Sequence, residues 1–424
     1  MKRRDFVATS VGGAVGLAGA RIVEGAEPTS TLRSFSGALP GSQSVRSLFP
    51  RLDDEVFINA AGGTPLGGFA EEAIQRYLDV ARLGRTGDRA QWWGETWDGL
   101  RGRFATLIGA EEAEIGLVEC TKEGEQLVLD GLSALDRGSS VVTNDLHFAG
   151  SLHNLEGQRR AGRDVRVVRS QDFAVDLERM ADAIDDRTAL VTVSLVSNIT
   201  GHIEPMAELA EVAHAHGAIV FADVIQAAGV VPINVREMGI DVAACSSYKW
   251  LYGIHGAGFL YVSRDTQGTV LGDTLFPGGS RRNYPPFVNQ VDPGAGPFTY
   301  QPPSDARRYQ PGHVNYLGYA AVHAGLGFVA DIGVASIQEH SVRLNTYLLD
   351  RLDRNRYDVL STHPGESPIL ALAAHDFEGL RERLTNSDVV VSLGGDKWNL
   401  VRISPAVYNT ESDMERLAEV LHGA

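Results

Sequence analysis

The chain has 424 residues, a length that suits two or three ordinary domains, and its 43% hydrophobic and 22% charged content is that of a globular protein. Thirty-eight Lys and Arg against 54 Asp and Glu leave a net charge of −16, which argues against nucleic acid or an anionic membrane as partner, because a polyphosphate surface needs a basic face. The two cysteines, Cys120 and Cys245, exclude a disulfide framework and a four-thiolate zinc site.

In chain order, Lys2-Arg3-Arg4-Asp5-Phe6 precedes a short Gly- and Ala-rich apolar run that ends in small residues at Ala18 and Ala20. That is the layout of a signal peptide, too short to span a bilayer. Arg3-Arg4 with Phe6 is similar to a twin-arginine export signal, which implies the twin-arginine machinery as a partner and a periplasmic or secreted location. Residues 1–26 are accordingly read as signal peptide and flank, 27–51 as an N-terminal segment, 52–330 as a large domain and 331–424 as a small C-terminal one. No stretch beyond the signal approaches ~18 consecutive apolar residues, so no membrane span is expected of the mature chain.

Val141–Thr143 and Val165–Val168 read as strands, and Thr188–Leu195 is a β-branched run of the kind buried on both faces of a parallel sheet. Pro205 opens a helix with Met206, Leu209, Ala210 and Ala213 on one face, and Gly217 ends it. Ala218–Ala222, Val242–Ser246 and Gly256–Val262 continue the strand series. Strands alternating with helices predict an α/β fold with a mostly parallel sheet, whose chemistry collects at the strand carboxyl ends. The Pro-, Gly- and Asn-rich stretch from Phe276 to Gly312 reads as a long functional excursion, and the residues after it as a smaller α+β domain.

Polar residues stand at several of these strand ends. Asp223 and Gln226 follow the strand through Ala222, and Lys249, between Tyr248 and Trp250, follows the one through Ser246. Taken singly, Asp223 reads equally as a helix cap and Lys249 as a surface lysine. Together they supply what pyridoxal 5′-phosphate (PLP) requires, a Schiff-base lysine and a carboxylate that keeps the pyridine nitrogen protonated. His214 and His216 could suggest a metal, but nothing in the sequence completes a ligand set and a solvated helix face is the reading; Trp92, Trp93 and Trp97 read as packing.

Asp223-Val-Ile-Gln226 through Ser246-Ser-Tyr-Lys249-Trp-Leu-Tyr-Gly253 resembles the signature of class V aminotransferase-like, fold-type I PLP enzymes, a group that includes cysteine desulfurases, isopenicillin N epimerase and kynureninase. Six further segments fall in the family's order: Phe57-Ile-Asn59-Ala-Ala61, Cys120-Thr121-Lys122-Glu123-Gly124, Asp145-Leu-His147, Ser197-Asn198-Ile-Thr-Gly201, Arg308-Tyr-Gln-Pro-Gly312-His313, and Val401-Arg402-Ile-Ser404 with Tyr408-Asn-Thr410. The resemblance implies that Lys249 holds the cofactor and moves the α-proton and that Asp223 pairs with the pyridinium. It places Gln226 and Asn198 on the ring hydroxyl and His147 on the ring face, with Phe148 in that place if the register slips by one. Thr121, Ser246 and the first helical amides would hold the phosphate. Arg402, with Asn59 beside it, would take the substrate carboxylate.

Three departures stand out. Lys122 occupies a phosphate-cup position that suits a small or hydroxyl residue, and either adds a contact or points away. Tyr248 replaces a His, and His313 replaces a Thr that in the family reaches the phosphate of the neighbouring subunit, which implies a homodimer. The segment upstream of Arg402, Ser392-Leu-Gly-Gly395-Asp-Lys-Trp398, lacks the mobile cysteine of desulfurases. The expected reaction is therefore transamination of an amino acid or amine-bearing peptide, with epimerisation or β-elimination (C–S lyase chemistry) as alternatives and a non-catalytic binding protein more remote.

Overall fold

A computed structural model describes residues 34–135, 138–272, 303–310, 312–394 and 398–423. The residues read as an export signal, and most of the stretch from Phe276 to Gly312 read as an excursion, lie outside the described residues.

The strands among the described residues, in chain order, are β1 (Val56–Phe57), β2 (Ile115–Val118), β3 (Ser140–Asn144), β4 (Asp164–Val168), β5 (Thr188–Ser194), β6 (Ile219–Asp223), β7 (Val242–Ser246), β8 (Gly258–Val262), β9 (Tyr357–Val359), β10 (Leu370–Ala374), β11 (Val389–Val390), β12 (Ser392–Gly394) and β13 (Leu400–Ile403). Seven of them form the central sheet in the order β2-β8-β7-β6-β5-β3-β4. The pairs from β4 through β7 are parallel, whereas β8 runs antiparallel to both β7 and β2. All seven residues of β5 are buried, as its unbroken Val/Leu/Thr run demands of a strand covered on both faces.

The helix after Pro205 spans Met206–Ala215 and buries Met206, Leu209, Ala210 and Ala213, the face that its spacing predicts. Gly217 then takes a left-handed φ of +78°, a conformation that costs glycine nothing. His214 and His216 do not face one another. Their ring nitrogens meet Asp241 at 2.8 Å and Asp186 at 2.7 Å respectively, and among the described residues no metal-ligating cluster occurs. Trp92, Trp93 and Trp97 pack with Tyr77, Tyr316 and Tyr319 in a chain of aromatic contacts, as expected of packing residues.

The C-terminal part is a four-stranded antiparallel sheet, β12-β13-β10-β9, with its own apolar core of Leu344, Leu370, Leu372, Leu380, Val401, Met414 and Leu417. Ile58 belongs to that same core although it lies near the opposite end of the sequence. It is brought there by parallel pairing of β1 with β11, and the bridge from Asn59 to Ser404 extends the clasp. This clasp places Asn59 beside Arg402.

Candidate active site

The parallel strands end on one edge of the sheet, and the edge is polar. Asp223 closes β6 and is 2% exposed; its Oδ1 accepts the Ile225 N–H at 3.0 Å, while Oδ2 accepts no hydrogen bond among the described residues. Burial pushes the Asp223 carboxyl above its ordinary value; His147 is the main opposing influence, followed by the Ile225 N–H and Lys249, while Glu125 adds to the rise. A buried carboxylate with a free oxygen is suited to a cationic N–H.

Lys249 stands three residues beyond β7 and is 6% exposed. Burial, aided by Arg402, lowers its ammonium to about 8 against the attraction of Asp223, so near neutral pH the amine is within reach of its nucleophilic form. The loop that carries it is fixed from several sides. Thr64 donates through Oγ1 to the Lys249 carbonyl at 2.8 Å, and its N–H meets the Tyr248 carbonyl at 3.1 Å. Trp250 Nε1 donates to Gln226 Oε1 at 3.0 Å, and Gln226 Nε2 in turn donates to the Ala61 carbonyl at 2.9 Å. Gly325 approaches so closely that a Cβ there would lie 2.1 Å from the Leu251 carbonyl oxygen.

The helix Thr121–Gly131 begins next to the end of β7. Thr121 Oγ1 accepts the Ser246 N–H at 2.9 Å, and the Thr121 N–H donates to Ser246 Oγ at 2.9 Å. This reciprocal pair sets two hydroxyls beside a helix N-terminus, whose first amides have no carbonyl four residues back and whose dipole favours an anion. Lys122 Nζ donates instead to the Gly150 carbonyl at 2.8 Å, which ties this helix to the start of the next.

Arg402, on β13, is 9% exposed and reaches across to the large domain: one terminal nitrogen donates to the Asn198 carbonyl at 2.7 Å and the other to Asn59 Oδ1 at 3.4 Å. Burial lowers it to about 10, Tyr248 partly compensating. Two buried polar atoms in this corner, Arg402 Nε and Asn198 Oδ1, have no hydrogen-bond partner among the described residues. Unpaired polar atoms are costly in a closed interior, and a polar ligand would satisfy both of these. Tyr248 lies between these groups, its ring stacked on His255 at 4.1 Å and 5.6 Å from Lys249 Nζ.

The expectation for His147 is corrected. Its ring is wholly buried, with Nδ1 on Ser194 Oγ at 2.8 Å and Nε2 on Glu125 Oε1 at 3.2 Å, so it has no free face on which a cofactor could stack. Its neighbour Phe148, at the N-cap of the next helix and the alternative if the register slips by one, is 37% exposed. His313 is exposed and its Nδ1 meets the Tyr316 hydroxyl at 3.0 Å. The structure thus gathers Asp223, Lys249, Gln226, Tyr248, Thr121, Ser246, Asn198, Asn59 and Arg402. Sequence reasoning missed Glu125, although an acidic residue at the buried i+4 position from Thr121 is itself a signal.

The class V aminotransferase family model matches residues 71–417. The chain belongs to the class V aminotransferase family. It is similar to an aminotransferase of Bacillus subtilis strain 168 (27% identity, 88% of this chain and 95% of that protein) and to a probable cysteine desulfurase of Methanothermobacter thermautotrophicus (31%, 90% and 97%). Among solved structures it shares the fold of the cysteine desulfurase CsdA from Escherichia coli, with TM-score 0.78 and 22% identity over 90% of this chain and 97% of that one. It also shares that of the cystine C–S lyase C-DES (TM-score 0.77, 20% identity, 88% and 98%). This class V chain is a fold-type I enzyme whose cofactor is PLP. The residues present fit that group: a buried amine of lowered basicity, a buried carboxylate with an open oxygen, a hydroxyl pair at a helix N-terminus, and orphaned polar atoms at Asn198 and Arg402.

Proposed function

We propose that this PLP-dependent enzyme is an aminotransferase for an α-amino acid or amine-bearing peptide with a free carboxylate. The observation that carries the reading is that two buried cations stand at the site, Lys249 on the loop after β7 and Arg402, which crosses from β13 to the Asn198 carbonyl and to Asn59. Bound PLP supplies an electron sink for charge developing at the substrate Cα. Thr121, Ser246 and the helix amides would hold the phosphate, Asp223 would hold a proton at the ring nitrogen, and Phe148 would cover the ring. Arg402 fixes the carboxylate through a planar fork, which orients Cα toward Lys249, and the amine of Lys249 takes and returns the α-proton.

Neither thiol supports a desulfurase. Cys245 is fully buried within β7 and burial pushes its thiol well up, Cys120 is the N-cap of the Thr121 helix, and Ser392–Trp398 contains no cysteine. Purified holoenzyme mixed with amino acids and a keto-acid acceptor is expected to give a keto acid and a new amino acid in equal amounts. Persulfide and alanine from L-cysteine, or inverted substrate without keto acid, would replace this reading with a desulfurase or an epimerase. Arg3-Arg4 supports export of the folded, loaded enzyme, with substrate met outside the cytoplasm. An Arg3→Lys, Arg4→Lys double variant should stay in the cytoplasmic fraction, and unchanged export would refute this route.

A further inference from the structure

Lys122, Phe148 and Gly150 each occupy a place that the physics of helix starts disfavours, and the three meet. Lys122 is the second residue of the helix Thr121–Gly131, where the dipole favours an anion over a cation. Its Nζ donates to the Gly150 carbonyl at 2.8 Å, so the charge also sits against the start of a second helix, Ala149–Arg160. Phe148 is the N-cap of that second helix, a position that prefers an acceptor side chain, and no side-chain cap bond forms there. Gly150 lies in the same first turn, where glycine loses more backbone freedom than any other residue. Its φ is not positive, so the position calls for the absent Cβ and not for glycine's conformational range. A Cβ built there would lie 2.6 Å from Phe148 Cε1 and 3.0 Å from Lys122 Cδ.

A phenyl ring has no hydrogen-bonding group, so its place is set only by its backbone and by what packs against it. The backbone is pinned on both sides of Phe148. Before it, the Leu146 N–H donates to Asn144 Oδ1 at 3.1 Å, Ser197 Oγ donates to the Leu146 carbonyl at 2.8 Å, and His147 Nδ1 meets Ser194 Oγ at 2.8 Å. After it, the pin is the hydrogen bond from Lys122 to Gly150. The packing comes from the same two residues: the Phe148 ring and the methylene stem of Lys122 share the room that a Cβ on Gly150 would fill. Local rules broken at three touching positions point to a task that outweighs helix stability.

We propose that Lys122 and Gly150 are positioning residues for the Phe148 ring: Gly150 leaves the room that the ring occupies, and Lys122 walls that room with its stem and fastens it through the Gly150 carbonyl. The lysine beside the phosphate seat and the phenyl ring after His147 are then parts of one device, and the ammonium has no share in holding the phosphate. This role rests on the reading that Phe148 would cover the cofactor's ring. It does not depend on which amine is the substrate or on whether the reaction is transamination.

The test compares binding of PLP with that of pyridoxal, which lacks the phosphate, by equilibrium dialysis, together with the visible circular dichroism of bound PLP. Wild type is set against Phe148→Ala, Gly150→Ala, Lys122→Met and the double variants that add each of the last two to Phe148→Ala. Phe148→Ala is expected to weaken both ligands about tenfold, the upper worth of an aromatic stack. Gly150→Ala has to push aside a ring and a lysine stem, not backbone, and should approach the same loss. Lys122→Met should cost about threefold, equally for PLP and pyridoxal, the worth of one ordinary hydrogen bond. Each single variant should alter the dichroism, and beside Phe148→Ala neither of the other two should weaken binding further. A Lys122→Met loss confined to PLP would make the ammonium a phosphate contact and overturn the proposal. Gly150→Ala and Lys122→Met proteins that bind like wild type would overturn it too, as would losses that persist in full beside Phe148→Ala; in these cases the loss in Phe148→Ala itself leaves the reading of Phe148 standing. A Phe148→Ala protein that binds like wild type, with unchanged dichroism, would overturn that reading and the proposal together.

Discussion

The guanidinium of Arg402 donates to the carbonyl of Asn198 at 2.7 Å, so a residue of the C-terminal sheet and a residue just beyond β5 of the central sheet are locked together at the substrate corner. One arm of the fork is thereby anchored to protein, while Nε has no hydrogen-bond partner among the described residues.

Replacing that arginine should therefore act on substrate more than on cofactor. In Arg402→Lys the charge remains and the fork is lost, and kcat/KM for a carboxylate-bearing amine is expected to fall about 100-fold, the value of one or two hydrogen bonds to a charged group. The change should fall mainly on KM, and the visible spectrum of bound PLP should be unchanged. A variant that loses cofactor instead would place Arg402 in a different role.

Lys249 predicts a pH dependence of stability in the cofactor-free protein. Its ammonium is lowered from 10.5 to about 8, so the folded state gives up a proton that the unfolded chain still holds. The penalty of burying the charge is fully present below about pH 8 and is relieved as pH rises toward 10.5, so stability should increase across that window, by a few kcal/mol at most. Urea denaturation of apoprotein at pH 7.5 and 9.5 tests this against Lys249→Met, in which the rise should be absent and no PLP should be held covalently.

The Thr121 and Ser246 hydroxyls answer each other, and their substitutions should not add. Thr121→Val and Ser246→Ala are each expected to weaken PLP binding about tenfold, and the double variant by much less than the product, because either change breaks the same reciprocal pair. Independent effects in a fluorescence titration would contradict a shared phosphate seat.

Gly325→Ala drives a methyl group to within 2.1 Å of the Leu251 carbonyl oxygen unless the lysine loop moves. A loss of about 1–3 kcal/mol in stability is expected, with weaker cofactor retention, since Leu251 lies two residues from Lys249. A thermal midpoint within about 1 °C of wild type would show that the loop yields freely.

A homodimer is expected, with His313, exposed in the single chain, directed toward a partner's phosphate site. Light scattering should give twice the chain mass. A fully active monomer would contradict it.

Much of this arrangement was legible in the residues. The unbroken apolar run of β5 and the one-sided face after Pro205 fix element type because burial on two faces and burial on one leave different periodicities. Asp223 and Lys249 were legible because each is a charge placed where a parallel sheet presents strand ends. The antiparallel course of β8 was not, since direction leaves no trace in a run buried on both faces. Nor was the choice between His147 and Phe148, because a shift of one residue at the entry to this helix exchanges a buried side chain for an open one. The Glu125–His147 contact joins positions 22 residues apart on two different elements, and only tertiary packing sets that distance.

The pairing of β1 with β11 has a bearing on how the molecule is made. As the chain leaves the ribosome, Val56, Phe57 and Ile58 emerge early and wait, without their strand partner, while everything from residue 59 to residue 388 is synthesised. The C-terminal core cannot close before then, and Asn59 cannot meet Arg402 until nearly the last residues have appeared. The Lys249 half of the site can form during translation. Its substrate-holding half cannot, so an incomplete chain has nothing with which to grip a carboxylate.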